Sequence, residues 1–109
     1  MTDRFVSPGT PLTEYQRELL IILMEECAEV SQRAAKALRF GLDEKQEGNP
    51  FDNAQRMAHE IGDITCMIGK LREAGMISQS DINVGCAHKH EQLETYLQYA
   101  ETEPQRGAA

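Results

Sequence analysis

A chain of 109 residues is the size of one domain, with room for three or four helices but no large private core. With no Trp and few aromatics, the interior falls to Leu, Ile, Met and Ala, which favours helices over strands and points to burial completed by another subunit. A net charge of −7 argues against binding a nucleic-acid polymer, though a nucleotide stays admissible where a metal reverses the local sign.

Residues 1–12 read as an irregular arm, broken by Ser7-Pro8-Gly9 and Pro11. Thr13 with Gln16 three residues on makes a capping box, so a first helix is expected from there to Phe40, with Gly41 as its stop. Leu20, Leu23, Met24, Cys27, Ser31, Ala34 and Leu38 share a stripe predicted to face inward. Residues 41–50 form a polar connection. Asp52 and Gln55 repeat the capping pattern and open a second helix ending at Gly75, with Met57, Ile61, Ile64, Ile68 and Leu71 inside. Gly62 and Gly69 within it suit the close approach of another backbone.

A third helix is expected from Ser78 or Ser80 to about Glu101, with Ile82, Cys86, Leu93, Leu97 and Ala100 inward. The domain is therefore placed at residues 13–101, with a fraying tail at 102–109. The expected fold is all-α: an antiparallel hairpin plus a third long helix, in a four-helix-bundle-like core completed by oligomerisation. Cys27, Cys66 and Cys86 are odd in number, widely spaced and without a C-x-x-C, and are expected to be reduced, mostly buried thiols. No apolar run approaches a membrane span and no signal peptide is read, so the expected setting is cytoplasmic, or a host cytoplasm if the chain is phage-encoded.

Two short stretches carry chemistry. Glu26 and Glu29 are three apart on the first helix, and Glu60 and Asp63 three apart on the second, so each pair shares one helical face. Counting from the connecting loop in an antiparallel hairpin, Glu29 falls near Glu60 and Glu26 near Asp63. Alone, Glu25, Glu26 and Glu29 read first as a solvated acidic face, and Glu60 with Asp63 equally as a surface patch. Together, four crowded carboxylates call for a cation. An all-oxygen donor set suits Mg²⁺, Mn²⁺ or Ca²⁺ rather than zinc, and Mg²⁺ characteristically takes its remaining ligands from water and substrate phosphates. A di-iron bundle would want Glu-x-x-His, which neither stretch has. Lys36, two turns beyond Glu29, is the first choice for a phosphate contact, with Arg39 and Lys89 behind it; Arg33 reads as a partner for Glu29. His59, His88 and His90 point to separate faces, and Met57, Met67 and Met76 read as core filler. Phe5, Tyr15, Phe40 and Phe51 suit packing better than base stacking.

The sequence Glu25-Glu26-Cys27-Ala28-Glu29, followed some thirty residues later by Glu60-Ile61-Gly62-Asp63, resembles the E-E-x-x-E … E-x-x-D signature of the MazG-like all-α nucleoside triphosphate pyrophosphohydrolases. The likeness spans roughly residues 14–100. The stretch Lys36-Ala37-Leu38-Arg39-Phe40-Gly41 is similar to small stand-alone members of phages and bacteria. The resemblance implies Mg²⁺-dependent hydrolysis of a (deoxy)nucleoside triphosphate between its α and β phosphates, in nucleotide-pool control or house-cleaning. It also implies a homo-oligomer, dimer or tetramer, of helical hairpins. On these positions it implies Glu26, Glu29, Glu60 and Asp63 as metal ligands and Glu25 as the residue that orients or deprotonates the attacking water. A phosphoribosyl-ATP pyrophosphohydrolase-like enzyme, or a non-enzymatic acidic adaptor, remains the alternative.

Overall fold

The computed structural model describes residues 4–100 and is all-helical, with helices α1 (Glu14–Phe40), α2 (Asn53–Glu73) and α3 (Gln79–Tyr96). Both expected capping boxes form. In α1 the Gln16 amide donates to Thr13 Oγ1 at 3.1 Å, and the Thr13 amide donates back to Gln16 Oε1 at 2.9 Å. In α2 the Gln55 amide donates to Asp52 Oδ1 at 2.8 Å, and the Asp52 amide to Gln55 Oε1 at 3.0 Å. Each box satisfies two amides that the first helical turn leaves without partners. Gly41 ends α1 at φ 97°, a backbone state that L side chains rarely adopt.

The connection between α1 and α2 is folded back on the second helix. Amides of Asn53 and Ala54 donate to the carbonyls of Glu44 and Leu42, at 3.1 and 2.9 Å. Asn53 is only 2% exposed, and its Nδ2 donates to the Gly41 carbonyl at 2.9 Å and to Glu44 Oε1 at 3.3 Å. One buried amide thus joins the end of α1, the loop and the start of α2, and so sets the relative height of the two helices. The hairpin is antiparallel: Leu19, near the start of α1, packs with Met67 and Leu71, near the end of α2.

These three are the fully buried apolar residues among those described, with Leu20, Leu23, Ala74, Met76 and Ile77 packed partly against them. The facing stripe of α1 is therefore rotated from the expected one. Met24 is 71% exposed and Leu38 88%, and Cys27, Ser31 and Ala34 also face outward. Periodicity identified an apolar face correctly but assigned it to the wrong neighbour. In α2, Leu71 is buried and Met57, Ile64 and Ile68 are half-buried, while Ile61 is exposed. A Cβ at Gly62 would meet open space, and at Gly69 only the tip of the Arg72 side chain, so no backbone of another described element approaches them. Cys27, Cys66 and Cys86 are free but exposed, which corrects the expectation of buried thiols.

The third helix also departs from expectation. Ser78 caps it, its hydroxyl accepting from the Asp81 amide at 3.2 Å, but it ends at Tyr96 and has no buried residue. Ile82 is half-buried; Cys86, Leu93, Leu97 and Ala100 are exposed. The polar run His88-Lys89-His90-Glu91-Gln92 splits its apolar residues into two groups, so no continuous stripe exists to dock on the hairpin. The expected tail at 102–109, and the last residue of the expected domain, lie outside the described residues. The arm before α1 is irregular, as read, and is tied down: the Phe5 and Val6 amides donate to the Gly75 carbonyl at 3.0 and 3.2 Å. Gly75 has φ 73° and the Phe5 ring against its Cα, so no side chain fits there. No helix among the described residues is long and apolar enough to cross a membrane.

Replacing Asn53 with Ala leaves the Gly41 carbonyl without its buried donor. The expected cost is about 1–3 kcal/mol, read as a lower midpoint in urea unfolding.

Candidate functional site

Midway along the hairpin the facing positions of α1 and α2 turn from apolar to acidic. Glu26 and Glu29 from α1 and Glu60 and Asp63 from α2 each place a carboxylate oxygen within 4.8 Å of the others. The order anticipated from the loop is met: Glu60 acts on Glu29 across the seam, and Glu26 faces both Asp63 and Glu60. Glu26 Oε2 and Glu60 Oε2 are buried and have no donor from any other group within reach. Glu29 and Asp63 are more open.

This environment acts on protonation. Glu60 is pushed up to about 7 from an ordinary 4.5, first by the hydrogen bond with Glu29, then by desolvation, then by the charges of Glu29, Asp63 and Glu26. Glu26 is also raised, first by desolvation and then by its acidic neighbours. For Glu60 every cause penalises the ionised form, and for Glu26 those that do so outweigh the opposing contact with Glu60. A divalent cation held by the same oxygens would remove the penalty. The donor set fits one: four carboxylates, two with a buried oxygen lacking any donor, and no His or Cys among them.

The other expected site residues are distributed as follows. Glu25 is exposed on α1, about 100° around the helix from Glu26, and stands outside the group of four. Lys36 lines a cavity of about 160 Å³ at the loop end of the hairpin, with its Nζ 5.6 Å from the centre of the Phe40 ring. Arg39 lies outside that cavity, its guanidinium 4.9 Å from the centre of the same ring. Lys89 is exposed on α3, and it lines neither the cavity nor the acidic group. Arg33 forms no ion pair with Glu29 and lines the cavity instead. Arg56, which sequence reasoning passed over, is there too. A signal for it existed: Arg56 lies four residues before Glu60, as Arg33 lies four after Glu29, so both follow the acids toward the loop.

Among the aromatics, Phe51 packs edge-on against His59 with ring centres 4.8 Å apart, and neither belongs to the group of four acids. Met67 is core, as expected of the methionines, and Met76 packs against it. No family model, no curated protein and no solved structure matches the chain.

The acidic group makes the stability of the metal-free protein depend on pH in a defined direction. A carboxyl whose folded value is raised favours the folded state while protonated, so that contribution is full below about 4.5 and is lost as pH rises through about 7. The melting temperature of the EDTA-treated protein is expected to fall across that window, and Glu60→Gln to flatten the fall. Excess Mg²⁺ at pH 7.5 should restore stability, by ~2.7 kcal/mol at a concentration about a hundredfold above its Kd.

Proposed function

We propose that this chain is a MazG-like, Mg²⁺-dependent nucleoside triphosphate pyrophosphohydrolase, with Mn²⁺ able to substitute. The reaction is addition of water across the α–β anhydride of a (deoxy)nucleoside triphosphate, giving a nucleoside monophosphate and pyrophosphate. The observation that carries the reading is the convergence of Glu26, Glu29, Glu60 and Asp63 from two helices on one point, with two of their oxygens buried and undonated. The double acidic motif at 25–29 and 60–63, with its resemblance to that family, supports the same choice of chemistry.

A divalent cation, when bound, supplies charge neutralisation of the polyphosphate and a lower pKa for the attacking water. The four carboxylates would hold it, and the short side chain of Asp63 and longer ones of the three glutamates define the shape of that cradle. Glu25, beside the first ligand but outside the group of four, is left available to orient the water or take its proton. Lys36 is placed to neutralise phosphate charge from the loop side. Arg39 and Lys89 have weaker support, since both stand apart from the acids and the cavity.

A homo-oligomer, dimer or tetramer, belongs to this reading. Three fully buried apolar residues are a small core for a chain of this length, while Ile21, Met24 and Leu38 lie uncovered on α1. A second copy over that face would supply the missing burial. The role would be nucleotide-pool control or house-cleaning in a cytoplasmic setting.

Pyrophosphate should be released from at least one member of a panel of standard and modified (deoxy)nucleoside triphosphates, with Mg²⁺ or Mn²⁺ and not with EDTA. Glu29→Gln and Asp63→Asn should each lower kcat/KM by ~100-fold or more while far-UV circular dichroism is unchanged. A non-enzymatic acidic adaptor would hydrolyse nothing and ignore the metal. Phosphoribosyl-ATP, included in the panel, separates the related activity. Sedimentation equilibrium is expected to return a mass of two or four chains, and a strict monomer would remove the oligomer from the reading.

A further inference from the structure

The side of α1 turned away from α2 carries Ile21, Met24, Ala28, Ser31, Ala35 and Leu38, at spacings that alternate between three and four residues. All six are exposed. That alternation is the pattern by which one helix lies along another. The one hydroxyl in it is already satisfied, since Ser31 Oγ donates to the Cys27 carbonyl at 3.2 Å. Covering this face therefore orphans no side-chain polar group.

The order of sizes along the face says what fits it. Laid against a reversed copy of itself, Ile21 meets Leu38, Met24 meets Ala35, and Ala28 meets Ser31. Large residues close both ends, a large one faces a small one between, and the centre is small enough for close approach. A parallel copy would stack Ala28 on Ala28 and Ala35 on Ala35, leaving gaps between wider layers.

A second stripe runs beside the first, one residue on: Glu18, Glu25, Gln32 and Arg39, each seven residues from the next and all exposed. Neither Glu18 nor Arg39 forms an ion pair among the described residues. In an antiparallel pair this stripe faces itself. Glu18 then stands opposite the partner's Arg39, twice over by symmetry, and Glu25 opposite the partner's Gln32. In a parallel pair the stripe would lie beside Leu20, Cys27 and Ala34 and meet no charge. Sliding the antiparallel copy by one heptad either strands Ile21 and Met24 or sets Glu25 against the partner's Glu25. Glu29 stands about 40° from Glu25 around the helix, so the second stripe borders the carboxylate centre.

We propose that two copies pack α1 on α1 antiparallel, about a two-fold axis between Ala28 and Ser31, with Gln32 of the partner subunit donating to Glu25. This rests on the function proposed above for the part Glu25 plays, and adds to the second copy an orientation, a register and a residue at the site. Glu25 has no hydrogen bond among the described residues of its own chain. An amide from across the axis would hold one of its oxygens and leave the other for the attacking water. Gln32 is thus a positioning residue, acting through Glu25.

Charge reversal tests the packing, by sedimentation equilibrium. Glu18→Arg and Arg39→Glu should each weaken self-association by about tenfold, and the two together in one chain should restore it. A double variant as weak as either single one, or an unaltered protein that stays a single chain, overturns the packing. Complementation tests the contact. Gln32→Ala should lower kcat by about tenfold, with KM held within about twofold and the mass unchanged. Glu29→Gln is inactive in its own site but keeps Gln32 for its partner. Co-expressed in equal amounts, the two variants should recover about a quarter of the unaltered activity, because half of the pairs are mixed and each holds one intact site. A merely structural role for Gln32 within its own chain gives no such recovery, and that result, or an unchanged kcat, overturns the contact. If the unaltered protein hydrolyses no triphosphate, the proposed function fails, and rescue by double charge reversal decides the packing by itself.

Discussion

Four carboxyl groups drawn to within 4.8 Å of one another are the constraint around which this hairpin is built. Left alone they oppose the packing of α1 on α2, because every approach of the helices brings like charges closer and strips water from Glu26 and Glu60. The helices stay together because the cohesive contacts lie on either side of the acids. At one end Leu19, Met67 and Leu71 close on each other, with Leu23 beside them. At the other, Asn53 ties the end of α1 to the loop and to the start of α2. A repulsive centre held between two fastened ends is preorganised: its geometry is maintained by groups outside it.

Read from one end to the other, the seam between the helices is zoned. Apolar positions come first, Leu19 and Leu23 against Met67 and Leu71. The acids follow, Glu26 and Glu29 against Asp63 and Glu60, and then the cations Arg33 and Lys36 beside Arg56 and Asn53. Each zone is one or two turns long, and in every zone both helices contribute the same chemical type. A single hairpin with a fixed register is enough to produce that match. A shift of one turn would set Glu29 against Arg56 and leave Glu26 against Glu60, dispersing the four-acid centre. The centre therefore depends on the register, which the buried Asn53 amide helps to set.

Much of this was legible in the residues, for identifiable reasons. The capping boxes at Thr13 and Asp52 and the stop at Gly41 are local, and local hydrogen bonding decides them. The order of the acids follows from loop length and helical rise. What was not legible depends on what lies across from a face. The stripe through Met24, Cys27 and Leu38 is a real apolar periodicity, yet it lies outside the hairpin, and the inner stripe is interrupted by Glu26, Arg33 and Lys36. Hydrophobic pattern ranks faces by composition, so a seam carrying a charged site scores below an uncovered apolar face. The same blindness hid Arg56, whose meaning comes from Arg33 and Lys36 on the other helix. It also placed α3 in a core it does not join.

The raised carboxyls tie the site to the solvent in a way that a merely acidic surface would not. A proton on Glu60 and a cation among the four oxygens relieve the same repulsion, and they compete for the same atoms. Near pH 7 Glu60 is poised between its two protonation states, so a cation entering there would displace a proton from it. Acidification would then loosen such a cation, the proton taking over its stabilising role. At higher pH the ionised acids repel one another most, and a cation would meet no competing proton. The folded state is thus least self-sufficient under the conditions in which these oxygens would hold a metal best, and a cation entering there would return to folding the energy that the crowded acids withhold.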